Sequence, residues 1–154
     1  MADLRLATHL AAPPAAVAAA LRRPATLVQV SRPLLEIRPV DPPRFPEVWA
    51  AGDHLVTMRL FGVLPLGRQV ISVSFPAPPP GGFALHDAGH GGLARVWDHR
   101  ITVLPEGDGS RYTDAIRIEA GWLTPLVAGF ARVFYRHRQA RLRRMAAAGF
   151  PGGA

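Results

Sequence analysis

The chain has 154 residues, 49% of them hydrophobic and 19% charged, which excludes bulk disorder because disordered chains combine low hydrophobicity with high charge density. No apolar run reaches the ~18 residues of a membrane span, since Arg, Asp, His, Gly or Pro interrupts each one. All 18 basic residues are arginine and there is no cysteine, so thiol nucleophiles, disulfides, thiolate metal sites, Schiff-base lysines and a P-loop lysine are excluded together.

In chain order, residues 3–9 alternate, with Leu4, Leu6 and Thr8 on one face and Arg5, Ala7 and His9 on the other, as a first strand requires. Alanine dominates residues 15–22, opened by Pro13-Pro14 and halted before Pro24, which predicts a short helix over 14–22. Pro13-Pro14 and Asp3 also disqualify this region as a secretory signal, so the cytoplasm is the expected location. Residues 25–30 form a second short helical turn. From Leu34 the period becomes two, with Leu35 and Ile37 opposing Glu36 and Arg38, and the strand over 34–40 ends at Asp41-Pro42-Pro43. Residues 54–61 and 68–75 read as two further strands. Between them Gly62-Val63-Leu64-Pro65-Leu66-Gly67 is an apolar loop tip, which either folds onto the core or lines a pocket mouth or meets a partner.

Residues 83–87 form a short strand, 86–92 a glycine-rich connection, 93–104 a long strand, and 111–120 a last strand after a turn at 105–109. Within the connection His86, Asp87 and His90 are zinc-competent groups. His86 and Asp87 point to opposite sides of a strand, however, so a surface hairpin is expected there, with no metal and no cofactor. Thr124-Pro125 supplies a capping side chain and a proline at the first helical position, and Gly149 a stop, so residues 125–148 form a long terminal helix. Its apolar stripe runs Leu123, Val127, Phe130, Phe134, Arg138, Leu142 and Met145, against a solvated face of Arg132, Arg136, Gln139 and Arg143. The net charge of +7 invites a polyanion, but the arginines near the C-terminus lack an aromatic array for base stacking, and no nucleic-acid partner is expected. One domain spans 1–148, with a flexible tail at 149–154 and no predicted oligomeric state.

The order of strand, two short helices, consecutive antiparallel strands and long C-terminal helix is joined by Trp97-Asp98-His99 in one strand, Thr113-Asp114 in the next, and Ala120-Gly121 before the helix. In these features the chain resembles the SRPBCC superfamily of START and Bet v 1-like ligand-binding domains, which includes polyketide cyclase and dehydrase relatives. The resemblance implies an α+β helix-grip fold, with a curved seven-stranded antiparallel sheet wrapped on the terminal helix. It also implies an apolar cavity that binds a lipid, polyketide or similar small hydrophobic molecule.

Alternation places Trp97, His99, Ile101 and Val103 on one face of the long strand, and Tyr112, Asp114, Ile116 and Ile118 on the matching face of the last. Trp97, His99, Ile101, Tyr112, Asp114, Ile116, Phe130, Phe134 and Arg138 are therefore the expected cavity lining. A hairpin whose paired residue numbers sum to 213 sets His99 directly opposite Asp114. Two readings of that pair stand open: a satisfied polar contact that fixes register and histidine tautomer, or a dyad in which Asp114 orients His99 as general base, with Tyr112 as a second proton donor. With no nucleophile beside it, such a dyad suits proton abstraction, cyclisation or dehydration. Arg138 either snorkels at the rim or is a fixed cation for an acidic head group. Trp49 and Trp122 read as core or rim aromatics. The tip Val63-Leu64-Pro65-Leu66 is placed beside the cavity mouth as a gate or docking surface.

Overall fold

A computed structural model describes residues 1–150. The elements follow as β1 (Ala2–Leu10), α1 (Pro14–Leu21), α2 (Pro24–Ser31), β2 (Leu35–Asp41), β3 (Gly52–Leu60), β4 (Leu64–Ser74), β5 (Phe83–Gly91), β6 (Val96–Glu106), β7 (Gly109–Glu119), a 3-10 turn (Gly121–Leu123) and α3 (Thr124–Ala147). All seven strands form one antiparallel sheet in the order β1-β7-β6-β5-β4-β3-β2. Strands β2 to β7 pair in sequence order, and β1 returns to pair with β7 once the meander is complete. This is the α+β helix-grip architecture implied by the resemblance.

Helix α3 packs mainly on β1 and α2, with a smaller contact on β7. Its stripe of Val127, Ala131, Phe134, Leu142 and Ala146 joins Leu4, Leu10, Ile116 and Ile118 in the core. Because the helix lies over the β1 and β7 side of the sheet, the inner face of β2 to β6 leans over a space that no backbone fills. That asymmetry makes the pocket.

The helix ends differ from expectation at one terminus only. Thr124 lies inside the first turn, where its hydroxyl accepts from Ala120 N–H at 2.9 Å and donates to Gly121 C=O at 2.7 Å, so it ties the 3-10 turn to α3. At the other end Gly149, at φ 76°, closes the helix through bonds from Gly149 N–H to Ala146 C=O and from Phe150 N–H to Met145 C=O, the paired pattern that a left-handed glycine permits. Phe150 is 8% exposed and belongs to the core, so residues 149 and 150 are part of the fold, in correction of the tail boundary. The rest of that tail, 151–154, lies outside the described residues.

Three strand readings are corrected. The apolar tip is shorter than six residues, since Leu64 to Gly67 already pair in β4 and only residues 61–63 turn the chain. Positive φ at Phe61 and Gly62 makes so tight a turn possible. Strand β5 runs on through the glycine-rich segment to Gly91, paired with β4 and β6; glycines there admit close backbone neighbours, as a Cβ on Gly89 would lie 3.0 Å from Trp97 O. Finally, β6 and β7 pair with residue numbers summing to 215, so His99 faces Ile116 and Asp114 faces Ile101. The turn is Gly107-Asp108, with φ 57° at Gly107, because a two-residue hairpin favours glycine at its first central position.

Candidate functional site

Between the sheet and α3 lies a partly open cavity of about 100 Å³, several times the ~10–15 Å³ that one water needs. Its walls come from α1, α2, β2 to β6 and α3, and are mostly Leu, Ile, Val, Met, Phe and Trp. Of the predicted lining, Trp97, His99, Ile101, Phe130, Phe134 and Arg138 face it. Tyr112, Asp114 and Ile116 do not: all three sit on β7, which α3 covers, and they are 0%, 0% and 2% exposed. Trp49 is buried and lines the cavity, whereas Trp122 is 88% exposed and belongs to neither core nor rim.

Although the register is shifted by two, the predicted polar contact forms. His99 Nε2 lies 2.6 Å from Asp114 Oδ1, since diagonal neighbours on paired strands are within reach of long side chains. Tyr112 donates its hydroxyl to the same oxygen at 2.8 Å, and Gln139 donates to Asp114 Oδ2 at 2.9 Å and to Leu6 C=O at 3.0 Å. Gln139 is thus 4% exposed, not part of a solvated helix face. Burial alone would raise the Asp114 carboxyl; the bonds from His99 and Gln139 and the field of Arg138 outweigh it and hold the group below the ordinary carboxylate range. Burial lowers His99 in spite of the raising effect of Asp114. An ionised carboxylate only accepts, so neutral His99 donates from Nε2 and keeps Nδ1 as a lone-pair acceptor, without a partner among the described residues.

A second polar group on the cavity wall escaped the sequence reading. Asp87 stands directly opposite His99 in the β5–β6 register and lines the cavity. Its Oδ1 accepts Ser72 N–H at 2.8 Å, and desolvation pushes its pKa up to about 7 against that bond and the field of Arg138. The signal was available: Phe83, Leu85 and Asp87 alternate on one face, but the following glycines disguised the strand as a turn. Gln69 and Tyr135 also line the cavity, and Tyr135 accepts from Trp97 Nε1 at 2.9 Å. On the opposite face His86 pairs with Asp98 at 2.8 Å. Among the described residues no group of three His, Cys, Asp or Glu is placed to hold a metal.

Arg138 is 6% exposed and lines the cavity, so the rim reading is corrected. Its guanidinium carbon lies 5.7 Å from the Phe134 ring centre and 5.2 Å from that of Tyr135. It makes no hydrogen bond or ion pair among the described residues, and its Nε is buried without a partner. Burial opposes its charge, but the fields of Tyr112, Tyr135, Asp114 and Asp87 outweigh that effect and favour the cation.

A seven-stranded sheet gripping a terminal helix over such a pocket is the fold of START and Bet v 1-like domains. The chain is similar to the solved structures of protein CV1439 from Chromobacterium violaceum (14% identity, TM-score 0.69, 95% of this chain and 98% of that one) and of a START superfamily protein from Mycobacterium smegmatis (12%, 0.66, 95% and 97%). It is also similar to the AHSA1 protein from Silicibacter pomeroyi (21%, 0.56, 92% and 97%). The chain belongs to the family described as Domain of unknown function (DUF8410), whose model matches residues 8–146. No curated protein matches it. No helix among the described residues is long and apolar enough to cross a membrane.

Proposed function

We propose that the protein binds a small hydrophobic molecule, such as a lipid or polyketide, in the cavity between the sheet and α3. The observation that carries this reading is a partly open pocket with a mostly apolar wall, in a fold shared with a protein named for the START superfamily. The neutral fluorophore N-phenyl-1-naphthylamine should brighten and saturate with the wild-type protein. Leu85→Trp, which fills the pocket from β5, should abolish that signal while circular dichroism stays native. Wild-type protein that never brightens the fluorophore, or a folded Leu85→Trp that still does, overturns the proposal.

A second reading is favoured by one observation, the 2.6 Å contact that pins the His99 tautomer. With Nε2–H committed to Asp114, His99 Nδ1 would act as the base in a cyclase- or dehydratase-type proton abstraction. Deuterium exchange at the acidic carbon of a 3-oxo ester should then be accelerated by wild-type protein and slowed ~10²- to 10⁴-fold in His99→Gln. Equal exchange with and without the wild-type protein leaves binding as the function and removes catalysis.

A further inference from the structure

We infer that the cavity's occupant is an apolar molecule ending in a single carboxylate, which pairs with Arg138. This rests on the binding reading above and names the chemical class of the ligand. Arginine cannot shed its proton in a protein, so it cannot escape burial by becoming neutral, as a lysine does. A buried charge is tolerated when it is paired and hydrogen-bonded, yet the Arg138 guanidinium lies beside the faces of Phe134 and Tyr135 with no hydrogen bond or ion pair among the described residues. The nearby ionised carboxylate is not free to serve. Asp114 already accepts from His99, Tyr112 and Gln139, and it lies outside the cavity lining. An incoming carboxylate matches the guanidinium fork with two parallel bonds, while its hydrocarbon part takes the apolar wall. A phosphomonoester, with nearly two charges, would leave an unbalanced charge in the same apolar space.

Asp87 adds a condition. It shares the cavity wall with Arg138, and its carboxyl holds one fixed bond, to Ser72 N–H on β4. The charged and titratable groups around it are Arg138 and Tyr135 from α3, His99 opposite it on β6, Asp98 also on β6, and Asp53 on β3. Protonated, Asp87 can donate to a carboxylate held by Arg138; ionised, it repels that carboxylate and competes for the same cation. Since burial pushes its pKa up to about 7, the change falls between pH 6 and pH 8, where a fatty carboxylate is already ionised.

The test uses decanoate and 1-decanol, which share a chain and differ in charge, as competitors for N-phenyl-1-naphthylamine. Decanoate should displace the fluorophore about ten- to a hundredfold more effectively than decanol at pH 6, as a charge-assisted pair predicts. That advantage should shrink about tenfold by pH 8 in the wild type and stay level with pH in Asp87→Asn. Arg138→Met should bind decanol as the wild type does and lose the preference for decanoate. Arg138→Lys keeps the charge and should recover part of the preference. Decanol and decanoate displacing equally at pH 6, or Arg138→Met keeping the decanoate preference, overturns the inference and leaves the cavity reading intact. A fluorophore that never binds the wild-type protein overturns both.

Discussion

Two carboxylates on the sheet, one buried and one half-buried, have opposite surroundings. Asp114 on β7 lies under α3 and accepts from three side chains on three different elements, so its charge is satisfied and its pKa held low. Asp87 on β5 faces the space that α3 does not cover, with one backbone N–H as fixed donor and a pKa pushed up to about 7. The difference teaches where protein ends and site begins. Polar groups under the helix are completed by the chain itself, whereas those beyond it, Asp87 and Arg138, are left to be completed by something else.

The comparison can be broken most severely at its satisfied half. Asp114→Ala would strand a tyrosine hydroxyl, an imidazole N–H and a glutamine amide without a buried acceptor, and should cost about 3–5 kcal/mol in urea unfolding. A loss below about 1 kcal/mol would show that the network contributes little.

The unsatisfied half should respond in the reverse sense, and to pH. A carboxyl whose folded pKa is raised binds more protons when folded than when unfolded, so it withdraws stability as pH climbs from its unfolded value near 4 to about 7. Asp87→Asn should therefore be more stable than the wild type at pH 8 by about 2–4 kcal/mol, and the gain should fade toward pH 4. Asp114, held low, has the opposite sign: its contribution is full above pH ~4 and is lost as the pH falls through its folded pKa. Thermal melts of wild type, Asp87→Asn and Arg138→Met across this range would separate the two halves. A gain for Asp87→Asn that does not depend on pH would place its effect in packing.

The smallest effect is expected at the β3–β4 turn, away from both carboxylates. Leu64 is 54% exposed, while Leu66 two residues on lines the cavity. Leu64→Asp should change stability by less than about 0.5 kcal/mol. A change in the rate of N-phenyl-1-naphthylamine uptake in this variant would support the gate expected from the sequence, and unchanged uptake with a native melt would remove it.

Local signals in the sequence were sufficient for the elements and their order. Alternation marked the strands, Pro24 separated the two short helices, and Gly149 stopped α3, because each of these depends on backbone geometry within a few residues. The same alternation put His99 and Asp114 on the inner face, and their contact survived a wrong register because a shift of two residues preserves the face. What lines the cavity and what lies beneath the helix depended on where α3 settles across the sheet. Only the tertiary structure decided that: packing of α3 on β1 and α2 covered Tyr112, Asp114, Ile116 and Gln139, and left Asp87 and Arg138 facing open space. Side-chain period records which way a residue points, but not what stands in front of it. For a buried arginine that pairs with no carboxylate of its own chain among the described residues, that second fact gives the residue its meaning.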